Sequence, residues 1–109
     1  MAKRSKVARM SLSPATALRI VGQLAKDSNK VFFVAHALMR MRQRKISRPQ
    51  VLACLLRGGL IEGPAIDVKG NWRFTMRYVA AGDTVSVVVA LDWQVQSSSH
   101  VLIITVFGG

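Results

Sequence analysis

Cysteine occurs once, at Cys54, so neither a disulfide framework nor a cysteine-based zinc site can form within one chain. No apolar run approaches the roughly 20 residues that a membrane span needs. The longest, residues 85–91, is broken by Ser86 and reads as a buried strand. Five carboxylates in 109 residues leave few groups for acid–base chemistry. Aromatic residues are scarce, and Trp72 and Trp93 both fall on an apolar alternation, which disfavours single-strand recognition by base stacking against simple phosphate contact. A glycine-rich phosphate loop, His/Cys metal spacing and a Gly-x-Ser-x-Gly elbow are all missing, which sets aside nucleotide, zinc and serine-hydrolase readings. No metal and no cofactor is expected.

What is present is an apolar chain with a one-sided charge. Half of the residues are hydrophobic, enough for one domain with a genuine core, and a disordered composition fits only the first dozen residues. Residues 1–57 hold 13 of the 16 Lys and Arg with Asp27 as their only acid, whereas residues 58–109 hold three cations and four acids. A field of one sign attracts polyanions over about a Debye length, so nucleic acid, an acidic protein or an anionic membrane surface is the expected partner class. The plainer alternative is that the charge keeps a small apolar protein soluble. A single cysteine suits a reducing, cytoplasmic setting.

The first residues are basic and free of acids, as a transit peptide is. A helix is the preferred reading, because Ser13 and Pro14 look like an N-cap and first helical position, followed by Leu18, Val21 and Ala25 on one face. Residues 1–12 are therefore expected as a flexible basic tail and residues 13–109 as a single domain. Residues 31–35 form a short β-branched and aromatic run that could be a strand, and a helical pattern opens at His36 and lasts to about Lys45. Ile46-Ser47-Arg48-Pro49-Gln50-Val51 then supplies an N-cap serine, a glutamine to close a capping box, a first-turn proline and an Ile46 to Val51 staple. In this second helix Val51, Leu52, Leu55 and Leu56 make one stripe, and Gly58-Gly59 is expected to end it in the left-handed conformation.

From Leu60 the period changes to two. Trp72, Phe74, Met76 and Tyr78 alternate with Arg73, Thr75 and Arg77, and after a turn at residues 81–84 the pattern resumes with Val85, Val87, Val89, Leu91 and Trp93. Asp83 reads as a turn former, and Asp92 as an ion-pair candidate for Arg73 or Arg77. After three serines, residues 100–107 are apolar on both faces, as a central strand would be, or one covered by a second chain; the oligomeric state stays open. The fold class is α+β: two or three helices packed on an antiparallel sheet of three to four strands.

Residues 33–47 carry one histidine and four cations with no carboxylate. His36, Arg40 and Arg44 stand four apart, drifting about 80° around a helix, so all three can serve one groove. Mutual repulsion of a few tenths of a kcal/mol per charged pair calls for an anion or for screening by water and salt. Arg42, Lys45 and Arg48 fit a solvated face as well as a nucleic-acid contact. Tyr78 shares the apolar face of its strand and reads as core; His100 reads as an exposed turn residue.

The series His36, Ala37, Arg40, Met41, Arg44, Ile46 and Ser47, in the spacing His-Ala-x-x-Arg-Met-x-x-Arg-x-Ile-Ser, resembles the signature of a small bacterial domain family of unknown function. The likeness runs over about residues 31–107 and includes Leu60-Ile61-Glu62 and Ile103-Ile104-Thr105-Val106; the helical leader lies outside it. More distantly the arrangement resembles the RelE and BrnT type ribonuclease toxins. That resemblance implies metal-independent RNA cleavage in which His36 moves the proton and Arg40 and Arg44 hold the phosphate, with Arg42, Lys45, Arg48, Arg73 and Arg77 as further nucleic-acid contacts. RNA is implied ahead of DNA, and an acidic antitoxin as a possible protein partner. The alternative is a non-catalytic module that binds nucleic acid or a partner through the same basic helix.

Overall fold

The computed structural model describes residues 12–92 and 100–108. Helix α1 (Pro14–Ala25) begins as expected: the Ser13 hydroxyl accepts the Thr16 N–H at 3.1 Å, and Pro14 follows it. The face it buries is Ala17, Val21, Leu24 and Ala25, with Leu18 half-buried beside it. Leu12, assigned to the tail on composition, is also buried in the core. The rest of that tail, residues 93–99 with Trp93 and the three serines, and Gly109 lie outside the described residues. A 3-10 turn (Ser28–Lys30), capped by the Asp27 carboxylate accepting from Asn29 N–H at 3.0 Å, leads into strand β1 (Val31–Phe33).

Helices α2 (Ala35–Arg44) and α3 (Arg48–Arg57) meet at the corner that the sequence marks. The capping box is complete: Ser47 N–H donates to Gln50 Oε1 at 2.8 Å and Gln50 N–H to Ser47 Oγ at 3.3 Å. Ile46 and Val51 are both buried, as a staple across the cap requires. Between the helices Lys45 adopts φ 58°, ψ 43°, and Ile46 N–H donates back to the Met41 carbonyl at 2.9 Å. A left-handed conformation costs a residue with a Cβ about 1–2 kcal/mol. Lys45→Gly is therefore expected to raise the unfolding free energy by about 1 kcal/mol, read from a denaturant midpoint, and a lowered midpoint would refute the strain.

Two expectations for α3 are corrected. Its buried stripe is Val51, Cys54 and Leu55, with Leu52 half-buried, while Leu56 is 45% exposed. The stripe follows the 3-residue step to Cys54, an apolar residue of modest size that packs against the sheet. The helix also does not end left-handed at glycine. Gly58 has φ −75°, ψ 170°, an extended conformation open to any residue. A Cβ on Gly58 would lie 2.5 Å from the Cys54 carbonyl oxygen and 2.7 Å from that of Arg77, so the glycine is there for close backbone approach.

The sheet has five strands in the order β1-β5-β4-β3-β2, with β2 (Gly59–Ile66), β3 (Trp72–Ala80), β4 (Asp83–Leu91) and β5 (Val101–Gly108). All neighbours are antiparallel except β1 and β5, which run parallel with Val31 opposite Val101 and Phe33 opposite Ile103. The count exceeds the three to four expected because β1 is only three residues long and β2, interrupted by Gly63-Pro64 and by two register shifts, is mostly exposed. A strand without an inside–outside alternation leaves little trace in sequence. The β3–β4 turn is the two-residue loop Ala81-Gly82, both at positive φ, which matches the right-handed twist of the strands it joins.

The helices share one face of this sheet. There α2 packs against β5, α3 against β3 and β4, and α1 against α3 and β2. Trp72, Phe74 and Met76 of β3, Val85, Val87, Val89 and Leu91 of β4, and Val101, Ile103 and Val106 of β5 enclose a single core with Ala37 and Met41 of α2. The strand alternation sends Arg73, Thr75 and Arg77 to the opposite face, opposite Ala90, Val88 and Ser86 of β4.

Candidate functional site

Helix α2 owes its orientation to Ala37 and Met41, which are buried over β5, with Leu38 half-buried alongside. At 100° per residue, His36 then points farthest from the sheet, Arg40 lies on the flank and Arg44 closest to the core edge. Exposure follows this order only in part: His36 and Arg44 are exposed and Arg40 is half-buried. Successive members of the row climb about 6 Å along the helix axis. Among the described residues none of the three makes a hydrogen bond or an ion pair.

Arg44 and Lys45 reach a groove of about 440 Å³ at the α2–α3 corner. Its other walls are Ile46 and Gln50, the hairpin tip Gly82, Asp83 and Thr84, Val85, and Gly108 at the end of β5. His36 and Arg40 are not among its lining residues. The three expected site residues thus form a row along one side of α2, of which the last lines this groove.

The remaining basic residues divide between the two sides of the molecule. Arg42, Lys45 and Arg48 are exposed at the helical corner. The Arg48 guanidinium lies 4.6 Å from the centre of the Phe33 ring, a cation–π contact. Arg73 and Arg77 lie across the sheet from α2. Arg73 pairs with Asp67 at 3.5 Å, and Arg77 Nε donates to Ser86 Oγ at 3.3 Å. Backbone N–H groups of Asn71 and Lys69 and the Arg73 charge hold the Asp67 carboxyl below the ordinary range. Both arginines thus have local partners on the far face, and the structure does not bring them together with the α2 row.

Other reactive side chains have structural settings. Cys54 is fully buried, its Sγ donates to the Val85 carbonyl at 3.8 Å, and burial pushes the thiol up to about 12, which removes the thiolate at neutral pH. His100 is exposed just before β5, with its ring edge-on to Phe32 at 5.4 Å. Tyr78 is partly buried against the core, as its alternation indicates. Among the described residues no group of three His, Cys, Asp or Glu could hold a metal ion, and no helix is long and apolar enough to cross a membrane.

Sequence reasoning missed Gln50 and Asp83 as wall residues of the corner groove. Gln50 reads as a capping residue and Asp83 as a turn former, and they are both. What no local pattern discloses is that the β3–β4 tip folds up beside the α2–α3 corner.

Among the described residues these features define a small α+β domain with three helices on one face of a five-stranded sheet and a row of cations without an acidic partner on its second helix. A family model described as a domain of unknown function, DUF4258, matches residues 33–108, and the chain belongs to that family. The match takes in the whole His36 to Ser47 signature and every strand from β2 onward, and leaves α1 outside. Neither the curated proteins nor the solved structures contain a match to the chain.

Proposed function

We propose that the protein binds RNA by seating its phosphate backbone on the basic surface of α2 and the α2–α3 corner. One observation carries this reading: residues 31–57 hold Arg40, Arg42, Arg44, Lys45, Arg48 and Arg57 with no carboxylate, and among the described residues none of these cations meets an acid. Such a surface repels itself and gains from a polyanion. A rise of about 6 Å between His36, Arg40 and Arg44 suits successive phosphates of a strand better than one isolated anion.

A second reading adds cleavage, as the likeness to RelE and BrnT type toxins implies. Its support is the accessible His36 imidazole one helical turn from Arg40. The imidazole would take the proton of the 2′-hydroxyl as its oxygen bonds to phosphorus and return it to the departing 5′-oxygen, leaving a 2′,3′-cyclic phosphate, while Arg40 steadies the phosphoryl oxygens. An acidic antitoxin-like protein would compete for the same cations.

Binding of a fluorescein-labelled single-stranded RNA measured from 50 to 200 mM salt tests the first reading. With four or five phosphates engaged, log affinity is expected to fall with log salt at a slope of about −3. A slope near zero, or no binding at the lowest salt, would refute it. Incubation of the same RNA in excess chelator tests the second: cleavage that His36→Ala abolishes while binding persists establishes catalysis, and an intact strand dismisses it.

A further inference from the structure

Beside the corner groove lies a second recess of about 190 Å³ lined by Pro49, Gln50, Ala53, Tyr78, Ala80, Asp83 and Val85. Gln50, Asp83 and Val85 line both, so the two recesses share a rim and have unlike far ends. One end presents Arg44 and Lys45. The other is walled by Pro49, Ala53, Ala80 and the Tyr78 ring. On the shared rim stand two polar groups with distinct capacities. Gln50 commits its Oε1 to the Ser47 N–H, which leaves its amide NH₂ to donate. Asp83 is exposed and can only accept, and although it lines the same groove as Arg44 the two form no ion pair.

An anion site, a flat apolar recess and an adjacent donor–acceptor pair describe the requirements of one molecule class. The geometry points to a nucleotide-binding channel in which Arg44 and Lys45 hold a phosphate while the attached base enters the Tyr78 recess and is read by Gln50 and Asp83. The inference rests on the phosphate-binding reading above and adds a sequence preference to it. In this channel the Gln50 amide faces ring N3 and the Asp83 carboxylate the position-4 group, an order that suits the N3 acceptor and amino donor of cytosine and sets donor against donor and acceptor against acceptor for uracil. Discrimination arises from hydrogen bonding in a recess, which needs no exposed tryptophan.

The test compares labelled oligocytidylate and oligouridylate of ten nucleotides on the full chain at 50 mM salt. Oligocytidylate is expected to bind about tenfold more tightly. Asp83→Asn, whose amide can either donate or accept, should erase that preference. Ala53→Leu and, at an exposed strand position, Ala80→Ile fill the recess and should bring oligocytidylate down to the oligouridylate value, with unchanged melting temperatures confirming the fold. Equal binding of the two oligomers, weakened together by Arg42→Glu outside the channel, would overturn the channel while leaving phosphate binding intact. Failure of both oligomers to bind would remove the parent reading. In that case resonances of Gln50 and Asp83 that move on adding cytidine monophosphate would assign the channel to free nucleotides, and resonances that stay still would overturn it.

Discussion

Replacing Gly58 with alanine is expected to lower the unfolding free energy by about 3 kcal/mol, at the upper end of what overpacking costs. For a domain near this size that corresponds to a drop in melting temperature of roughly 10–20 °C. The cause is steric rather than torsional. Gly58 sits between the end of α3, where its N–H donates to the Cys54 carbonyl at 2.8 Å, and the backbone of β3. The added methyl would meet two carbonyl oxygens, those of Cys54 and Arg77, at 2.5 and 2.7 Å, and neither can swing aside as a side chain does. Relief requires α3 to lift from the sheet or β2 to give up its first pairing, Gly59 with Arg77. Gly59→Ala is the internal control. A Cβ there meets nothing within 4 Å, so its effect should stay within about 0.5 kcal/mol. Equal melting temperatures for the two variants would show that the helix–strand approach is softer than its geometry indicates.

Gly58 also shows where local reasoning stops. Its sequence context, a glycine pair after an amphipathic helix, matches a left-handed cap, and the left-handed residue turns out to be Lys45 at the end of the preceding helix instead. Short-range signals with their own chemistry were legible: Ser13-Pro14, the Ser47 to Gln50 box and the alternation of Trp72, Phe74 and Met76 all mark what the structure contains. Signals that depend on a distant partner were not. The run at residues 31–35 marks a possible strand, but that it pairs in parallel with β5, some 70 residues later in the chain, has no local sign. Leu56 and Cys54 compete for the core on near-equal terms in a helical wheel, and the position of α3 on β3 and β4 decides between them.

The same division applies to the site. That His36, Arg40 and Arg44 share one side of a helix follows from spacing alone, because a helix is periodic over any stretch that forms it. That Arg73 and Arg77 stand on the far side of the sheet does not follow, since alternation tells which residues of β3 share a face but not which face the helices cover. Once Trp72, Phe74 and Met76 are seen to turn toward α2 and α3, the arginines between them are committed to the other side.

That separation yields the largest functional contrast. Arg40→Ala/Arg44→Ala and Arg73→Ala/Arg77→Ala remove the same net charge, so a protein attracting RNA only through its overall field would lose affinity equally in both. On the proposed surface the first pair makes direct contacts. Loss of two charge-assisted hydrogen bonds, each contributing about 1.5 kcal/mol, is expected to weaken RNA binding about hundredfold. The salt slope should also shrink by about 1.4, since two phosphates no longer release their counterions. The second pair acts only at a distance through screened charge, and a change of about threefold or less is expected at 150 mM salt. Arg73→Ala also frees Asp67 from its ion pair, so its cost should register as lower stability in acid-to-neutral melts rather than as weaker binding. Equal losses from the two double variants, with matching salt slopes, would mean that RNA responds to net charge alone and that the α2 row is a solvated helix face. A larger loss from the β3 pair would move the interface to the face of the sheet opposite α2 and α3, where Thr75 and Ser86 are buried.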